Sequence, residues 1–65
     1  MNKKTALIND PRMPGGSEED IKRDYNLDVT VFDDGTFEVE GDVNDVDAYI
    51  DDYGIIVEEE WEEEE

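Results

Sequence analysis

Residues 24–65 carry 18 acidic side chains and no Lys, Arg or His, yet Leu27, Val29, Val31, Phe32, Phe37, Val39, Val43, Val46, Tyr49, Ile50, Tyr53, Ile55, Ile56, Val57 and Trp61 are interspersed among them. A disordered acidic tail lacks such apolar residues, so this stretch has to fold while keeping its carboxylates at the surface. All five bases, Lys3, Lys4, Arg12, Lys22 and Arg23, lie in the first 23 positions, so charge is segregated along the chain. The reading that follows is a small scaffold that presents carboxylates.

Sixty-five residues allow one domain. A domain of that size buries only about 60% of the surface its unfolded chain exposes, which leaves its stability marginal. Cysteine is absent, so no disulfide or thiolate zinc site can staple the fold, and packing has to suffice against a formal charge of -17. The first apolar segment ends at Ile8, too short for a secretory core, and no run approaches the roughly 18 residues of a membrane span, so the chain reads as cytoplasmic. Phosphate backbones and anionic lipid headgroups repel such a surface. Direct binding to nucleic acid or membrane is therefore not expected, and the natural partner is a basic protein surface.

Two apolar periods organise the chain. Thr5-Ala6-Leu7-Ile8 reads as a brief strand closed by turn chemistry at Asn9-Asp10-Pro11, and a loop with Arg12 and Met13 at its centre follows. Ser17 can cap a short helix whose first turn is acidic and whose end carries Lys22 and Arg23, with Ile21 and Tyr25 as its buried face. Leu27-Asp28-Val29-Thr30-Val31 and Phe37-Glu38-Val39-Glu40 alternate around Asp33-Asp34-Gly35. A two-residue loop would mix the faces of this hairpin. A three-residue loop with Gly35 left-handed pairs Val31 with Phe37 and Val29 with Val39, and leaves Asp28, Thr30, Glu38 and Glu40 on the other face with Phe32.

Val43, Val46, Tyr49, Ile50 and Tyr53 recur at helical spacing between Asp42 as N-cap and Gly54 as C-terminal stop. Gly54-Ile55-Ile56-Val57 then predicts a last strand continuing towards Trp61, with residues 62–65 fraying. The expected fold class is thus a small single-domain α+β protein over residues 1–61. It has an antiparallel sheet of three to four strands and two short helices in the order β-α-β-β-α-β, a miniature split βαβ or ferredoxin-like arrangement, followed by an acidic C-terminal tail. The alternative is a core of hairpin, second helix and last strand with residues 1–26 loosely attached.

No nucleophile and base constellation is present without His or Cys, so an enzyme is not expected. Neither is a cofactor or a dedicated metal site: Asp42-Val43-Asn44-Asp45-Val46-Asp47 lacks the calcium-loop glycine and places Val46 at a ligand position, and no glutamate follows Asp33-Asp34-Gly35 at the required distance. Carboxylates this crowded are expected to repel one another and so to have folded pKa values above the unfolded ones.

The candidate partner-binding residues are Glu38 and Glu40 on the hairpin, Asp45, Asp47, Asp51 and Asp52 on the second helix, and Glu58, Glu59, Glu60 and Trp61 on the last strand. Asp is a poor interior helix residue, and these helical acids have no matched cations. Alternate strand residues stand roughly 6.6 to 6.8 Å apart, two rises of about 3.4 Å along one strand of a duplex, so outward carboxylates can approximate a phosphate row. Trp61 is either an aromatic pinning the last strand to the sheet or an anchor within an acidic docking segment.

In composition and in the glutamate-rich end at 57–65, the chain resembles the small anti-restriction and anti-CRISPR inhibitors of bacteriophages, several of which imitate DNA. The resemblance implies a phage-encoded inhibitor acting in the host cytoplasm. Its target would be a basic nucleic-acid-binding protein of restriction, CRISPR defence, repair or the nucleoid. The competing expectations are an acidic adaptor that docks on a basic partner and a halophilic domain whose charge serves solvation.

Overall fold

The computed structural model describes residues 2–10 and 12–64; Pro11, part of the expected turn, and Glu65, at the end of the expected tail, lie outside them. Six elements follow in order: β1 (Asn2–Ile8), α1 (Glu18–Tyr25), β2 (Asp28–Val31), β3 (Phe37–Asp42), α2 (Val43–Tyr53) and β4 (Val57–Glu64). The strands form one antiparallel sheet in the order β2-β3-β1-β4. This is the α+β fold and the split βαβ order expected from the two periodicities.

Each element starts and stops where local chemistry directs it. Ser17 and Asp20 form a capping box, with the Ser17 N–H donating to Asp20 Oδ2 at 3.2 Å and the Asp20 N–H to Ser17 Oγ at 3.4 Å. Asn26 ends α1 in the left-handed conformation. Asp42 caps α2 by accepting the Asn44 N–H at 2.9 Å, and Gly54, at φ +59°, ends it while its own N–H and that of Ile55 satisfy the last carbonyls. In the hairpin, Val31 faces Phe37 and Val29 faces Val39, and Phe32 donates to the Thr36 carbonyl around Gly35 at φ +89°. That is the register the three-residue loop required. Asp34 Oδ1 tightens the turn by accepting from the Thr36 N–H and hydroxyl.

Both helices cover the same face of the sheet. Ala6, Ile8, Phe37 and Val39 project from β1 and β3 onto Ile21 of α1, Leu27, and Val46 and Tyr49 of α2, and all eight are essentially inaccessible. Val31 belongs to this face by register yet is 51% exposed, because β2 is an edge strand that the helices do not fully reach. Gly41 leaves room for Leu27: a Cβ there would stand 2.8 Å from Leu27 Cδ2. A tyrosine cluster joins the end of α1 to α2, where Tyr49 lies edge-on to Tyr25 at 5.3 Å and against Tyr53 at 5.5 Å, and donates its hydroxyl to the Pro14 carbonyl. The loop before α1 is therefore held against the core, with Met13 packed on it and Arg12 exposed.

The alternative in which residues 1–26 are loosely attached does not hold for the described residues among them: β1 lies between β3 and β4, and α1 contributes Ile21 to the core. β4 continues to Glu64 and pairs with β1 along its length, Glu62 opposite Lys4 and Glu63 opposite Lys3. The register sets opposite charges across the ladder there. The last strand starts at Val57 rather than within the expected Gly54-Ile55-Ile56 run, because Gly54 and Ile55 complete the α2 cap and Ile56 is 87% exposed.

Two glycine substitutions distinguish strain from crowding. Gly35→Ala has open space around the new methyl but a left-handed backbone, and should cost about 1 kcal/mol. Gly41→Ala forces Leu27 out of place and should cost about 1–3 kcal/mol. Urea midpoints at fixed pH and salt check both; a neutral Gly41→Ala would show that the packing between β3 and Leu27 is loose.

Candidate acidic interface

The register distributes the predicted residues over two opposite surfaces. On the face away from the helices the strands line up in rows. One row reads Asp28, Glu40, Thr5, Trp61 and the next Thr30, Glu38, Leu7, Glu59, with Glu63 opposite Lys3 beyond them. Glu38, Glu40, Glu59 and Trp61 therefore share one surface, joined there by Asp28 and Glu63. Asp45, Asp47, Asp51 and Asp52 belong to α2 on the other side of the sheet, Glu60 shares that side, and Glu58 occupies the irregularity where the β1–β4 register shifts. No continuous row from Glu38 and Glu40 along α2 exists, because the sheet stands between them.

Several candidates are engaged within the molecule. Lys4 alternates with Ala6 and Ile8, so its side chain points under α2, where it is 9% exposed; Nζ lies 2.7 Å from Asp47 Oδ1 and 3.4 Å from Glu60 Oε2. Asp47 and Glu60 are thus partners of one buried cation. Asp52 accepts the Tyr25 hydroxyl at 2.7 Å. Glu40 accepts from Thr5 Oγ1 at 3.1 Å and pairs with Lys3 Nζ at 3.1 Å, which relieves its position opposite Asp28. Glu38, Glu59, Asp45, Asp51 and Glu58 make no such bond among the described residues. Trp61 lies over the Thr5 position at 41% exposure; Thr5 itself is only 6% exposed although no helix covers it.

The expected upward shift of the carboxylates is reversed at four sites. Hydrogen bonds from Arg12 to Asp10, from Ser17 to Asp20, from Thr36 to Asp34 and from Lys3 to Glu40 hold these carboxyls below their usual range. Local donors outweigh the general repulsion there. The Asp47 carboxylate raises Lys4 above the ordinary lysine value, against the effect of burial. Among the described residues no three carboxylates converge as a metal centre, and no helix is long and apolar enough to cross a membrane.

Sequence reasoning missed Lys4, Thr5, Leu7, Asp28 and Glu63 as parts of these surfaces. For Lys4 the signal was available: period two from Ala6 and Ile8 places it on the core face, where a lysine needs a carboxylate. Asp28 had already been placed on the same face as Glu38 and Glu40. Glu63 required the β1–β4 register, which no local pattern reveals.

Opposite linkage signs give a direct test. Lys4 has a raised folded pKa, so its contribution is complete below the unfolded value and is lost as pH rises through the folded one; the destabilisation of Lys4→Met, about 1–2 kcal/mol, should stay constant from neutral pH and close only above 10.5. Glu40 has a lowered pKa, so Glu40→Gln should cost up to about 1 kcal/mol at neutral pH, a gap that closes as pH falls through the folded Glu40 value. Paired denaturation curves across pH check both, and gaps that closed at the opposite ends would overturn these assignments. Comparison of the chain with protein-family models, with curated proteins and with solved structures found no match in any of the three.

Proposed function

We propose that this protein is an acidic nucleic-acid mimic that inhibits a basic nucleic-acid-binding protein by occupying its binding surface. The uncovered sheet face supports the reading. Asp28, Glu38, Glu59 and Glu63 surround Trp61 and Leu7 there, on strands whose spacing is fixed by the ladder rather than by mobile side-chain stems. Rigid charge in a lattice loses little freedom on binding, whereas a flexible polyanion has to be ordered first. Trp61 adds an aromatic contact of the kind that dominates protein interfaces. The α2 carboxylates are weaker candidates than their exposure on a helix suggested, since Asp47 and Asp52 already serve Lys4 and Tyr25. A charge of -17 also steers the protein towards the same basic targets that nucleic acid seeks. Restriction, CRISPR, repair and nucleoid proteins are the targets this reading favours.

Position, not charge count, separates mimicry from general acidity. One variant neutralises the sheet face (Asp28→Asn, Glu38→Gln, Glu59→Gln, Glu63→Gln). The other neutralises the helices (Glu18→Gln, Glu19→Gln, Asp45→Asn, Asp51→Asn). Each removes four negative charges. A basic protein retained by the immobilised wild type at low salt should be released by duplex DNA, and the sheet-face variant should compete with that DNA about tenfold or more worse than the helix variant. Equal losses would reduce the interaction to non-specific electrostatics, and a retained protein that DNA does not displace would overturn mimicry.

A further inference from the structure

We propose that the outer edge of β4 accepts a basic extended segment of a partner protein as a fifth strand. β4 ends the sheet order, so among the described residues its outer row of N–H and C=O groups meets no strand. It is eight residues long, contains no proline, and its one irregularity lies near its start, where the register shifts between Leu7 and Ile8. An edge of this length is ordinarily covered or blocked, because it is a template for another chain. The other edge, β2, has four residues.

Side-chain charge decides which chain can use the template. A second copy of β4 would set Glu against Glu across the new ladder, which like-charge pairing disfavours. A strand with Lys or Arg at alternate positions meets the opposite situation. The inner edge of β4 already holds a strand with two adjacent lysines, one on each face: Lys3 and Lys4 of β1 lie opposite Glu63 and Glu62, and Lys4 Nζ reaches Glu60 at 3.4 Å. The outer edge therefore offers a basic segment the pairing that β1 makes on the inner one. Main-chain bonds would supply affinity and the alternating carboxylates would supply selectivity, as in strand-addition complexes generally. Opposite Trp61 a β-branched residue fits, since it packs across the ladder against the indole. The inference shares with the proposed mimicry only the basic character of the partner.

A seven-residue peptide alternating Lys with Val and Thr tests it against the same peptide with every backbone amide N-methylated, since methylation of alternate amides alone would leave one edge free to pair. The two have equal charge, and only the first can pair along an edge. Titration into the intact protein should show the unmethylated peptide binding about tenfold or more tightly, with new protection from amide exchange at residues 57–64. Equal affinities, no binding by either peptide, or protection at β2 instead would overturn the proposal. Because DNA competition plays no part in this measurement, an edge that fails leaves the mimicry test intact, and the reverse also holds.

Discussion

The central position of β1 governs the rest of the molecule. An acidic chain of this density can close only if its few cations are placed where they neutralise most, and β1 puts Lys3 and Lys4 between β3 and β4, Lys4 beneath α2 and Lys3 on the uncovered face. Lys4 joins α2 to β4 through Asp47 and Glu60, while Lys3 and Thr5 relieve Glu40 on the opposite face. The two faces of one short basic strand thus serve two layers. A buried ammonium is tolerated there because two carboxylates compensate its lost hydration, and both remain open enough to keep part of their own. The apolar core of Ala6, Ile8, Phe37 and Val39 under Val46 and Tyr49 provides the cohesion, and the cations relieve the repulsion that would oppose it.

Local signals were enough to read most of the architecture. Periodicity located both helices and the hairpin, and the need to keep Val29, Val31, Phe37 and Val39 on one face selected the three-residue loop over the two-residue one. Caps at Ser17, Asp42 and Gly54 were visible as residue types at the right places. What escaped was long-range pairing. The length of β4 depends on Asn2, Lys3 and Lys4, which lie far away in sequence. The Glu-rich end therefore read as a solvated tail when considered alone. The candidate surface suffered for the same reason: Glu38 and Asp47 are both outward on their own elements, and only the sheet between them reveals that they face different ways.

Intramolecular demands also sort the carboxylates. Asp10, Asp20, Asp34, Asp42 and Glu40 close turns, cap helices or hold Lys3. Asp47, Glu60 and Asp52 anchor α2 to its surroundings. The carboxylates that the fold does not use lie on the open sheet face and along β4, at Asp28, Glu38, Glu58, Glu59, Glu62 and Glu63, and also on the helices, at Glu18, Glu19, Asp45 and Asp51.

Trp61 is the chain's single tryptophan, and it stands on that open face between carboxylate-bearing rows. The three tyrosines sit together on the opposite side of the sheet. The indole is consequently an optical probe placed in a strongly negative local potential. Iodide, an anion, is held away from it and caesium is drawn in, so the ratio of the two quenching constants measures the field at the surface. A basic chain arriving at either the open face or the β4 edge would reverse that ratio without any label being attached.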